Sequence, residues 1–118
     1  VNELILPLIG LALGILLGFF FPFNVPVVYS AYLSVAILAA LDSVFGGIRA
    51  SLENSFDSDI FITGFFGNAI LAASLAYIGD RLGVPIYLAA VVAFGTRLFQ
   101  NFAGIRRHLF NIRRESTK

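Results

Sequence analysis

Strongly polar residues stand inside stretches that are otherwise apolar: Asp42 in LAALDSVFGG, Asn68 in FFGNAIL, and Arg97 in FGTRLFQN, followed by Gln100 and Asn101. A carboxylate and a guanidinium pair through charge-assisted hydrogen bonds, and nearby amides can take up the donors and acceptors left over. A catalytic set is harder to assemble. His108 is the single histidine, and none of the serines (Ser30, Ser34, Ser43, Ser51, Ser55, Ser58, Ser74, Ser116) has it as an evident base. There is no cysteine, so disulfide and thiol chemistry are excluded, and so is a nitrogen–sulfur metal site. The expectation is a protein that is not an enzyme and carries no metal and no cofactor.

The segments that must position these groups are long and greasy. Apolar residues make up 58% of the 118, charged residues 13%, and the mean hydropathy is +0.90. An average soluble domain has about 25% charged residues, so this chain needs lipid to face. A bilayer core takes roughly 20 apolar residues as helix, and four stretches qualify: about 4–23, 27–49, 60–79 and 86–105. The first has no basic n-region, only Glu3, and outruns a signal-peptide core, so it reads as a retained helix. It should end at a turn spanning Pro22 to Pro26. Asp59 is placed to cap the third stretch, Asp80-Arg81-Leu82-Gly83 reads as a tight polar turn, and Pro85 suits the first turn of the fourth.

A repeat divides the chain. Phe45-x-Gly47-Ile48-Arg49-x-x-Leu52-x-Asn54 returns as Phe102-x-Gly104-Ile105-Arg106-x-x-Leu109-x-Asn111, and each copy follows a proline entry, at Pro26 and Pro85. The expected fold is all-α: a polytopic membrane protein with four transmembrane helices built as two tandem helical hairpins. Residues 1–110 form the membrane domain (repeat one about 4–54, repeat two about 60–111) and residues 111–118 a basic cytoplasmic tail. Arg106, Arg107, Arg113, Arg114 and Lys118 form the densest basic cluster, which places the carboxyl end in the cytoplasm, and four crossings then put the amino end there too. The net charge of +1 gives no reason to expect nucleic acid as a partner.

This topology brings the polar residues to one depth. At 1.5 Å per residue, Asp42 lies about 10 Å from Arg49, Arg97 about 13 Å from Arg106, and Asn68 about 13 Å from Asp59. A lone charge there costs roughly 2.5–3.5 kcal/mol or more. An Asp42–Arg97 ion pair is therefore expected, with Asn68 and either Gln100 or Asn101 satisfying the rest. Such a layer reads equally as a ligand or partner site and as a strut that fixes helix register. Gly10, Gly14 and Gly18 recur every four residues and let another helix approach closely, from within the chain or from a second copy. Gly46 and Gly47 are candidate packing positions as well. Arg49, Arg106, Arg107, Arg113 and Arg114 are candidates for lipid headgroups or a partner, and the tail with Phe110 and Ile112 suits an amphipathic continuation along anionic lipid.

Several stretches together resemble a bacterial membrane family, the small basic protein family. They are Tyr29-Ser30-x-Tyr32-Leu33-Ser34-Val35, Leu38 through Ala50 (LAALDSVFGGIRA), Phe61-Ile62-Thr63-Gly64-Phe65-Phe66 with Asn68, Gly79-Asp80-x-Leu82-Gly83, Tyr87-Leu88-Ala89-Ala90, Phe94-Gly95-x-Arg97-Leu98-Phe99-Gln100-Asn101 and Ile105-Arg106-Arg107. The resemblance covers about residues 8–110. It implies a multi-pass protein of the bacterial plasma membrane, encoded near cell-division and envelope genes, and supplies no substrate and no active site. The expected function is a small accessory or scaffold protein that packs with itself as a homo-oligomer or with a larger membrane complex. The alternatives are a small ion channel or transporter with a polar site in the inner half of the membrane, and a lipid-binding module of the cytoplasmic leaflet.

Overall fold

The computed structural model describes residues 4–21 and 24–116, and among them the chain is entirely helical apart from its connections. Helix α1 spans Ile5–Phe20, α2 Ser30–Leu52, α3 Ser58–Leu82 and α4 Tyr87–Ser116; one 3-10 turn, Val27–Tyr29, leads into α2. Three helical segments are long and apolar enough to cross a membrane: Val27–Leu52, Ser58–Leu82 and Tyr87–Ser116. The first expected crossing comes out shorter. At 16 residues, α1 is about 24 Å long against a hydrocarbon core of about 30 Å. Pro22, where the first turn was expected to begin, and Lys118 lie outside the described residues.

Local chemistry sets the helix ends. Asp57, not Asp59, caps α3: its backbone is extended and its carboxylate accepts from the Asp59 and Ile60 amides at 2.9 and 3.2 Å. The helix thus starts two residues before the apolar run, and Asp59 falls inside the first turn, where a negative charge suits the dipole. Asn54 closes α2 in the left-handed region at φ 60°, with Ser55 N–H donating to Ala50 and Asn54 N–H to Ser51, the pairing of a Schellman stop. At the far end of α3, Asp80, Arg81 and Leu82 are still helical, and only Gly83, at φ 71°, makes the turn. Gly79 is needed for that turn's close return, since a Cβ there would strike the Val84 carbonyl oxygen. Nothing stops α4 at the expected boundary; it runs through the expected tail to Ser116.

Packing centres on α2. Val35, Ala39, Ala72, Ala76, Ala90 and Phe94 form the buried core where α2, α3 and α4 meet, flanked by Tyr32, Leu38, Leu75 and Tyr87. Alanines at the crossings let the backbones approach, which is how helices gain contact in an apolar solvent. Although α3 and α4 are joined by a short turn, they touch each other far less than each touches α2, and α1 is only lightly attached. Most large apolar side chains point outward, among them Phe19, Phe66, Phe99, Val92 and Ile70. In water so much exposed apolar surface would be a liability.

Candidate functional site

Asp42, Asn68 and Arg97 lie near the middles of α2, α3 and α4. The Asp42 side chain has no exposed surface, and its Oδ2 lies 3.5 Å from Arg97 Nη2, whereas the Arg97 side chain is 57% exposed. Asp42 Oδ1 accepts from Asn101 Nδ2 at 3.5 Å, and Asn101 Oδ1 in turn accepts from Arg49 Nη1 at 3.5 Å. Arg49 also donates to the Gln100 carbonyl at 3.4 Å and, through Nε, to Glu53 at 3.0 Å. One polar chain therefore runs along the α2–α4 seam, from a fully buried carboxylate to the loop after α2.

Glycine makes that seam possible. A Cβ on Gly104 would lie 2.5 Å from Arg49 Nε, so the Arg49 side chain passes where any larger residue's side chain would begin. A Cβ on Gly46 would sit 3.4 Å from Asn101 Nδ2, and one on Gly47 would sit 2.8 Å from the Phe61 ring. Phe45 and Phe102 meet edge-on with centroids 6.4 Å apart, so the two similar segments lie side by side here. Arg49, a candidate for lipid headgroups, is drawn instead into the protein.

Other candidate residues fall elsewhere. The Gln100 side chain does not enter the network; its backbone carbonyl does. Asn68 has no hydrogen-bond partner among the described residues, but it lines the same cavity as Asp42, Ser43, Arg97 and Asn101, a cleft of about 410 Å³ whose rim is Ser55, Phe56 and Asp57. Among the described residues, no heavy atom from outside the helix's own nearby backbone lies within 4 Å of a Cβ placed on Gly10, Gly14 or Gly18. Gly10 and Gly14 instead border an apolar groove of about 590 Å³ between α1, α2 and α3. Arg106 and Arg113 line a shallow groove on α4 with Phe102, Ile105, Leu109 and Phe110. No cluster of three metal-ligating side chains occurs among the described residues.

Sequence reasoning passed over two features. Tyr32 donates to Asp80 Oδ2 at 2.6 Å, tying α2 to α3 at the end opposite the polar seam; depth counted from that end would have paired them. Ser43, beside Asp42, was weighed only as a nucleophile and not as part of the cleft.

Apolar helices around a buried carboxylate define the class: a small helical protein with the makings of a membrane protein. The chain belongs to the family described as "Protein of unknown function (DUF1290)", whose model matches residues 25–110. It is 56% identical over 104 residues to the "Small basic protein" of Bacillus subtilis (strain 168), covering 88% of this chain and 86% of that one. It is also 48% identical over 103 residues to uncharacterized proteins of Mycobacterium tuberculosis (strain ATCC 25618 / H37Rv) and Mycobacterium bovis, covering 86% of this chain and 85% of each. No solved structure matches the chain.

Proposed function

We propose that this protein is a small accessory or scaffold subunit of the bacterial plasma membrane, crossing it four times with both ends in the cytoplasm. In this reading it is built as two tandem hairpins and packs with its own copies or with a larger membrane complex of envelope synthesis or division. The observation that carries the reading is the open glycine face of α1. Gly10, Gly14 and Gly18 stand on one stripe with nothing against them, and two of them border an apolar groove. In lipid, burying apolar surface gives helices no reason to associate, and close packing on small residues does. A face of this kind left empty by its own chain is suited to a helix from elsewhere.

The absence of native cysteine makes the test direct. Gly14→Cys in native membranes should give a disulfide-linked adduct, with itself or with one recurring membrane protein, while Val92→Cys on another exposed face should not. Equal cross-linking at both positions, or none at Gly14→Cys, would end the scaffold reading. A tag on the carboxyl end reachable only from outside the cell would overturn the topology.

A second reading rests on α4. Arg106 and Arg113 flank apolar side chains on one face of the helix, an arrangement suited to anionic headgroups. It predicts that Arg106→Gln with Arg113→Gln weakens retention by anionic vesicles and leaves neutral vesicles unaffected.

A further inference from the structure

We propose that the cleft between α3 and α4 is a binding site for a phosphodiester, held by Arg97, Asn68 and Ser43, one residue from each of three helices. The fold itself opens the cleft. The helices α3 and α4 are tied at Gly83–Ile86, each lies on α2, and they barely touch one another. A space of about 410 Å³ is left between them, larger than a few waters need.

The polar groups in that space are poised but unused. Arg97 carries five N–H donors, and among the described residues none of them makes a hydrogen bond; its partner is the Asp42 carboxylate, in an ion pair at 3.5 Å. The Arg97 side chain is more than half exposed, within a helix apolar enough to cross a membrane. Lipid tails offer it nothing to bond, so a polar occupant is required. Asn68 faces the same space from α3 and Ser43 from α2, and neither side chain has a hydrogen-bond partner among the described residues. A guanidinium, a carboxamide and a hydroxyl all donate hydrogen bonds, and they converge on one volume.

The chemistry of the occupant follows from charge and shape. A guanidinium pairs with phosphate oxygens through a planar fork, and a tetrahedral phosphate has further oxygens to offer an amide and a hydroxyl. Asp42 lines the same space, fully buried and 3.5 Å from Arg97, and cancels much of its charge, so the site favours a singly charged diester over a doubly charged free phosphate. Asp57, at the rim, has its carboxylate engaged by the amides of α3. Ile60 and Phe61 beside it supply apolar wall. A lipid headgroup meets all of these conditions. The seam from Asp42 through Asn101 to Arg49 then has a distinct task, which is to hold the inner edge of the site.

The chain has no tryptophan, so Phe56→Trp at the rim provides a single fluorescent reporter in the full chain, reconstituted in phosphatidylcholine-free detergent micelles. Titration with dioctanoyl-phosphatidylglycerol should give a saturable change. Dioctanoylglycerol, which lacks the phosphate, should give none, and inorganic phosphate should bind at least about tenfold more weakly. Asn68→Ala and Ser43→Ala break no side-chain hydrogen bond among the described residues, so each should weaken binding by about tenfold or less while leaving the unfolding midpoint unchanged. Arg97→Lys should weaken it further; if that variant does not fold, the other two decide. Tighter binding of inorganic phosphate than of the lipid would keep the phosphate site but make its source soluble. No saturable signal, equal binding of dioctanoylglycerol, or binding unaffected by both Asn68→Ala and Ser43→Ala would overturn the proposal.

Discussion

Helix α1 and the unit formed by α2, α3 and α4 are made from similar residues, yet they are held in different ways. In the three-helix unit, Ala39, Ala72, Ala76 and Ala90 let backbones meet, and Val35 and Phe94 fill the remaining space. The glycines of α1 are smaller still, and they meet nothing. Small residues permit a close crossing without creating one; a complementary surface has to be present. Where the solvent is lipid, hiding an apolar face from it yields little. Polar groups behave differently, because Asp42, Asn101 and Arg49 find their partners in one another and in Arg97, Gln100 and Glu53 along the same seam. The seam adds to the packing of α4 on α2, whereas α1, with no polar residue on its length, has neither a seam nor a close crossing.

The contrast can be attacked at several points. Arg97→Ala should do the most damage, leaving Asp42 buried without a counter-charge. Breaking a buried pair costs about 3–5 kcal/mol, and the half-exposed arginine brings the expected loss to about 2–4, read from unfolding in detergent. A loss below about 0.5 kcal/mol would mean that the seam is not what joins α4 to α2. Next comes Ala39→Leu, which forces a larger side chain between packed helices and should cost about 1–3 kcal/mol. Removing the cap with Asp57→Ala should cost about 1 kcal/mol, visible as faster hydrogen exchange in the first turn of α3. Smallest of all, Gly14→Leu should change stability by no more than about 0.5 kcal/mol while abolishing any adduct formed through α1. If Gly14→Leu destabilised as much as Ala39→Leu, the distinction between the two parts would vanish.

Much of this could be read from residue order. Apolar runs of sufficient length gave the helices, and counting residues from the expected cytoplasmic ends put Asp42, Asn68 and Arg97 at one depth; in the structure the three line one cleft. What could not be read was how side chains choose between competing partners. Asn54 and Asn111 occupy the same place in the repeated pattern, but Asn54 takes a left-handed turn ahead of a new cap at Asp57, whereas Asn111 is followed by Ile112-Arg113-Arg114-Glu115 and stays helical. Arg49 and Arg106 are likewise equivalent in sequence. Arg49 faces the bare backbone of Gly104, and Arg106 faces outward. Nor does composition tell whether a glycine stripe faces its own chain, since the answer depends on what stands opposite.

Helix α4 runs without interruption for 30 residues, roughly 45 Å at 1.5 Å per residue. No proline divides it, so Arg97 and Arg113 ride on one continuous helix. Torque applied at the arginine-bearing tip is delivered to the guanidinium, and the reverse also holds. Whatever grips the tip is thereby geared to the cleft, and a proline at position 107 would cut the linkage, so that a load on Arg113 no longer altered the reporter at the rim.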